Sequence, residues 1–90
     1  MPNKTGLDPQ RVSIAWQEPA MVQIGKNGLS EGLYAEAKRL LKKHKYIKVR
    51  VLRSALSQGQ DKETLLRTLC LSIGAQLVGV RGNTAVVYKR

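Results

Sequence analysis

Four residues carry the most chemistry for their length: Gly25-Lys26-Asn27-Gly28. Two glycines around a lysine and an asparagine allow positive φ and leave no side chain between the backbone and an approaching group. The loop can therefore present bare N–H groups. Ser30 follows as a good N-cap and Glu31 suits the positive end of a helix dipole, so a helix begins just behind the loop. Loop amides, free N–H groups at a helix start and the Lys26 ammonium together form a cradle for a phosphate. By itself the Gly-x-x-Gly spacing also fits a plain strand-to-helix turn in which glycine supplies only geometry. The context favours the phosphate, because a short apolar run leads into the loop and the helix behind it is dense in lysine.

Lys38, Lys42 and Lys45 fall on one helical stripe with no acidic partner, whereas Arg39 and Lys43 share theirs with Glu36. Between residues 38 and 53 there are eight lysines and arginines and no acid. The dipole favours cations near a helix C-terminus, but does not call for that many. Lys48 and Arg50 follow on one face of a strand and prolong the basic surface if that face is open. The expected contact set is thus Gly25, Lys26, Asn27, Gly28, Lys38, Lys42, Lys45, Lys48 and Arg50.

Other reactive side chains do not converge. His44 is the single histidine and stands near a helix end, while Asp61 and Glu63 read as a helix cap and a first-turn charge rather than a metal pair. No acid, base and nucleophile come together, so no catalysis is expected. The lone Cys70 excludes an internal disulfide or a zinc cluster, and on an apolar helix face it reads as a small buried side chain. No metal and no cofactor is expected.

The whole chain has 90 residues, with 16 lysines and arginines against 6 acids and a formal charge of +10. That length makes one domain, with residues 1–18 an N-terminal tail and short segment and residues 19–90 the folded body. The charge exceeds what solubility asks of a small domain and points to a polyanionic partner. No run is long and apolar enough to span a bilayer, and the first twenty residues lack the apolar core of a signal peptide. A soluble cytoplasmic protein is expected.

The elements that position the loop follow from periodicity. Residues 20–24 read as a strand, with Pro19 just before it where a missing N–H costs little. Leu33, Ala37, Leu40 and Leu41 give a helix over 30–44 with one buried face. Ile47, Val49 and Val51 alternate with Lys48 and Arg50, predicting a strand over 46–53, then a polar connection to residue 60. Asp61 caps a second helix that Gly74 ends, with Leu65, Leu66, Leu69, Cys70 and Ile73 buried. Residues 76–80 and 84–88 form a hairpin around Arg81-Gly82-Asn83, and Gly79 marks a bulge or close packing. At the N-terminus two readings stand side by side. Asp8-Pro9 fits a helix start, whereas Val12, Ile14 and Trp16 alternate as in a strand. Trp16 reads as an anchor closing this segment onto the core, with a base-stacking platform as the alternative.

The order strand, helix, strand, helix, strand, strand makes a two-layer α/β sandwich. Two right-handed crossovers place both helices on one face of a mixed four-stranded sheet. Tyr34, Tyr46, Tyr88 and Trp16 are the only aromatics and form no stacking array, so recognition by shape and charge is expected.

Four blocks in this order also carry a family resemblance: Val22-Gln23-Ile24-Gly25-Lys26-Asn27-Gly28-Leu29-Ser30-Glu31-Gly32, Ile47-Lys48-Val49-Arg50, Gly74-Ala75-Gln76-Leu77-Val78 and Val86-Val87-Tyr88-Lys89-Arg90. Over about residues 19–90 the chain resembles a CRM domain, the YhbY-like RNA-binding family. The resemblance implies a fold like the C-terminal domain of bacterial translation initiation factor three, and RNA binding through the Gly-x-x-Gly loop and the adjacent basic surface. It also implies a partner in ribosomal RNA or large-subunit precursors, the setting of stand-alone members, rather than the organellar intron splicing of multi-copy relatives. The segment before Pro19 departs from the family, which opens with a longer basic helix. An Alba-type archaeal DNA-binding protein is the alternative, being small, basic and similarly ordered. The short Arg81-Gly82-Asn83 connection does not match the long hairpin arm of that group.

Overall fold

In the computed structural model, which describes residues 8–56, 59 and 61–89, the alternating stretch Tyr46–Val51 is an interior strand, β2. It pairs in parallel with β1 (Val22–Ile24) on one side and antiparallel with β4 (Thr84–Lys89) on the other. Strand β3 (Ala75–Arg81) completes the sheet beyond β4, in the order β1-β2-β4-β3. The mixed four-stranded sheet expected from the sequence is present, with the final strand inserted at its middle. The pairing of β3 with β4 shifts register between Leu77 and Gly79, the irregularity that Gly79 signalled.

Helices α2 (Glu31–His44) and α3 (Lys62–Ile73) cover one face. Ala37 and Leu41 of α2 and Leu65, Leu66, Leu69, Cys70 and Ile73 of α3 share a buried cluster with Ile24, Ile47, Val49, Val51 and Val87. Each strand thus spends alternate residues on this core, as a period of two requires.

The ambiguous N-terminal stretch is a helix, α1 (Pro9–Gln17). The Asp8 carboxylate accepts the Gln10 N–H at 3.0 Å, and Pro9 occupies the first turn, where its missing donor is harmless. Helical winding sends Val12, Ala15 and Trp16 onto the second face of the sheet and leaves Ile14 49% exposed, which undoes the apparent strand alternation. Around them a smaller cluster forms with Tyr46, Val86, Val78 and Tyr88. The Asp8 N–H also donates to the Tyr46 hydroxyl at 2.9 Å, tying the helix start to β2.

Two expected strand boundaries move: β1, predicted from residue 20, begins only at Val22. The strand predicted over 46–53 stops at Val51, and Arg53–Leu56 forms a 3-10 turn with Ala55 buried where a polar connection was expected. The chain must turn off the sheet there, and the Leu52 N–H donates to the Ile24 carbonyl as it leaves. Residues 57, 58 and 60 of that connection, residues 1–7 of the tail and the terminal Arg90 lie outside the described residues.

The two long helices end differently. Gly74 closes α3 at φ 69°, a left-handed cap that glycine adopts freely. Lys45 closes α2 at φ 64° and ψ −37°, the only non-glycine residue at positive φ among the described residues. Its N–H donates to the Leu41 carbonyl and its carbonyl accepts from the Lys89 N–H, both at 2.8 Å, so the junction is held from both sides. A non-glycine residue in such a region costs about 1–3 kcal/mol, against about 0.5–1 kcal/mol for the extra freedom glycine loses on folding. Lys45→Gly should therefore stabilise the fold by about 1 kcal/mol and raise Tm by several degrees in a thermal melt, whereas Lys45→Ala should not.

Lys48 closes α1 from below. Its Nζ donates to the Trp16 carbonyl at 2.9 Å and to the Glu18 carbonyl at 3.1 Å, satisfying orphan acceptors at the negative end of the helix. Replacing it with methionine keeps the stem and removes the donors. Lys48→Met should lower stability by about 1–2 kcal/mol in urea unfolding, with the loss of amide-exchange protection concentrated in α1.

Candidate nucleic-acid interface

Because β1 and β2 are parallel and β4 runs against them, three connections gather at one end of the sheet. Ile24 lies opposite Val51 and Arg50 opposite Thr84, while the Val51 N–H donates to the Asn83 carbonyl at 2.7 Å. The Gly-x-x-Gly loop, the turn after β2 and the Gly82-Asn83 turn therefore share this end. In that hairpin turn only Gly82 takes positive φ, 58°, and Asn83 does not.

In the loop, the Gly28 N–H donates to the Gly25 carbonyl at 2.9 Å, closing a turn whose tip is Lys26 and Asn27, both exposed. Gly28 sits at φ 63°, and a Cβ built there would meet nothing within 4 Å. The position needs glycine for its backbone and faces open space. Gly25 differs from the expectation: it does not take positive φ, and a Cβ there would only rest 3.7 Å from Leu52 Cδ1. One glycine of the pair, not both, is demanded by conformation.

The Ser30 hydroxyl accepts the Leu33 N–H at 3.2 Å, confirming the helix start behind the loop. The N–H groups of Lys26, Asn27, Glu31 and Gly32 find no acceptor among the described residues. Four donors and a lysine thus lie within one short stretch, the arrangement that receives an oxyanion.

The remaining expected residues separate. Arg50 is exposed at the loop end of the sheet, on the face that α1 only partly covers. Lys38 and Lys42 are exposed on α2, which carries them away from the loop along a 14-residue helix about 21 Å long. Lys45 stands at the far end, beside Lys89. Lys48 belongs to the same face as Arg50, but its ammonium is bound to the end of α1.

Three basic residues outside that set stand at the loop end. Arg53 is exposed on the turn after β2. Lys62 donates through Nζ to the Gly82 carbonyl, pinning the hairpin turn. The Arg81 guanidinium lies over the Trp16 ring, 4.5 Å from its centroid. The parallel register of β1 with β2 brings Arg53 there, and the antiparallel pairing of β4 with β2 and β3 brings Arg81 and the Gly82 turn that Lys62 holds; no local pattern discloses either.

Acids do little to neutralise this surface. Among the described residues the single ion pair is Arg67–Glu63, at 2.8 Å, so Glu36, on the stripe of Arg39 and Lys43, bridges to neither. Asp61 caps α3, accepting the Glu63 N–H and the Thr64 hydroxyl. His44 is exposed at the end of α2, and Cys70 is buried in the core. Among the described residues no three His, Cys, Asp or Glu side chains cluster as metal ligands, and no helix is long and apolar enough to cross a membrane.

Comparison with known proteins bears on the family and the fold. The family model of the CRS1 / YhbY (CRM) domain matches residues 10–89, a span that starts inside α1. A Pseudomonas aeruginosa protein named "Probable RNA-binding protein" is 37% identical over 73 residues, covering 81% of this chain and 66% of its own length. A Staphylococcus aureus protein of known solution structure, described as a candidate RNA-binding protein, superposes with a TM-score of 0.72 at 32% identity, covering 88% of this chain and 79% of that one. With its two-layer sheet, its exposed loop and a family match over nearly its whole length, the chain belongs to the CRS1/YhbY (CRM) domain family.

Proposed function

We propose that this protein binds RNA, gripping the sugar-phosphate backbone with the Gly25-Lys26-Asn27-Gly28 loop and the free amides at the start of α2. The observation that carries this reading is the exposed turn with Lys26 and Asn27 at its tip, unpartnered donors behind it and open space at Gly28. The names given to its two relatives point the same way. Gly-x-x-Gly loops elsewhere clamp backbone nucleotides by the same physics, with amides and a cation replacing water around a phosphate.

Arg50 and Arg53 flank the loop, and Lys38, Lys42 and Lys45 extend the positive surface along α2. A contact running the length of that helix would touch several phosphates, so shape and charge of a folded RNA govern affinity. The large ribosomal subunit during assembly, in the cytoplasm, is the partner we propose. Its precursors present structured RNA at high density, and the family resemblance of the Gly-x-x-Gly block supports it.

The test is binding to structured ribosomal RNA fragments and to duplex DNA of equal length across a salt series. RNA should be preferred near physiological salt; equal affinity for DNA would replace this reading with a general, chromatin-like basic protein. Lys26→Ala should reduce the log-log salt slope by about 0.7–0.9, one phosphate's worth, and an unchanged slope would take Lys26 off the contact surface. Aspartate and asparagine both tolerate the left-handed region, so Gly28→Asp and Gly28→Asn separate charge from shape. The carboxylate should weaken RNA binding about tenfold beyond the amide, and equal affinities in folded proteins would rule out an anion cradle.

A further inference from the structure

A groove of about 540 Å³ opens on the sheet face that α1 leaves uncovered, beside the loop. Gln23, Lys48, Arg50, Arg81, Asn83 and Thr84 contribute to it, and none of its lining residues is acidic. The register of β1 with β2 and of β2 with β4 explains its floor. Gln23 lies opposite Arg50, and Arg50 opposite Thr84, so these side chains stand in a row across three strands.

At one wall the Arg81 guanidinium lies over the Trp16 ring, 4.5 Å from its centroid, and Trp16 in turn rests on the sheet at Gly79, where a Cβ would be 3.6 Å from its Cζ2. A guanidinium seated on an indole is held in place by the ring and presents its own planar face outward. The Gln23 and Asn83 side-chain amides have no hydrogen-bond partner among the described residues, and both are exposed. The groove therefore offers a guanidinium backed by an indole, unassigned donors and acceptors, and positive charge from Arg50.

Resting on the RNA-binding reading, we infer that this groove is a subsite for an unpaired nucleotide of the bound RNA. Its base would stack on the Arg81–Trp16 pair, its edge would meet Gln23 and Asn83, and its phosphate Arg50. The volume lies within the usual range for small-ligand sites, about 300–1,000 Å³, and so suits a single nucleotide. Duplex bases hide their faces in the stack, whereas a splayed base can lie on an aromatic ring or a guanidinium plane. Gln23 is two residues upstream of Gly25, so a strand held by the loop runs directly into the groove.

Trp16 is the only tryptophan in the chain, so its emission reports on this wall of the groove. The experiment titrates the full-length protein with an oligouridylate of about ten nucleotides, with an RNA duplex carrying as many phosphates, and with poly-L-glutamate. Binding is read independently by anisotropy of end-labelled RNA. The oligouridylate should change Trp16 emission saturably, with the same midpoint as the anisotropy, while the duplex and poly-L-glutamate leave emission nearly unchanged. Arg81→Lys keeps the charge and loses the plane; it should weaken oligouridylate binding about tenfold and leave duplex affinity as it was. RNA binding by anisotropy with unmoved emission, or an Arg81→Lys protein equal to wild type, would overturn the subsite and leave RNA binding standing. The same emission change with duplex or poly-L-glutamate would overturn its selectivity for an unpaired base. Absence of anisotropy change with every RNA would overturn both readings.

Discussion

The alternation along β2 is the constraint from which the rest of the structure follows. An interior strand has partners on both edges, so its side chains have only two directions available. Ile47, Val49 and Val51 take one and are fully buried beneath α2 and α3. Tyr46, Lys48 and Arg50 take the other, and each meets a different fate. Tyr46 is covered by α1, Lys48 reaches up to cap it, and Arg50 emerges beyond its end into the open groove. A gradient from buried to exposed thus runs along one face of one strand, and it ends at the Gly-x-x-Gly loop.

That gradient depends on α1 being short. Nine residues cover Tyr46 and Val86 but stop before the register line of Gln23, Arg50 and Thr84. A ninety-residue chain buries only part of its surface, and here the uncovered part is basic and polar. The same helix supplies Trp16, on whose ring Arg81 lies. One indole serves both contacts: its Cζ2 edge approaches Gly79, and the Arg81 guanidinium lies over its ring.

Charge is distributed in two regions rather than one. The loop end has Lys26, Arg50, Arg53, Lys62 and Arg81, and the far end has Lys42, Lys43, Lys45 and Lys89, with Lys38 on the helix between. Separation of about 20 Å along α2 exceeds the screening length at physiological salt, about 8 Å, so the two regions are electrostatically separate. Such a surface suits a folded RNA that spans the domain better than a short anionic ligand.

What the sequence by itself determined is local. Helical and strand periodicities, the caps Ser30 and Asp61, the stop at Gly74 and the bulge near Gly79 are written in residues a few positions apart, and the structure has each of them. The Gly-x-x-Gly loop was legible because its neighbours in the chain, a strand and a capped helix, are also its neighbours in space. The helix in α1 was not, since Val12, Ile14 and Trp16 satisfy a period of two while Val12, Ala15 and Trp16 satisfy a helical face, and only the sheet surface under Ala15 decides between them. Only tertiary structure decided how each cation is placed. Lys48 and Arg50 look alike in a strand pattern, yet one is bound to carbonyls some thirty residues away and the other is open. Arg81 joins Arg50 at the loop end because β4 is inserted between β2 and β3, a pairing across more than thirty residues that no short window of sequence contains.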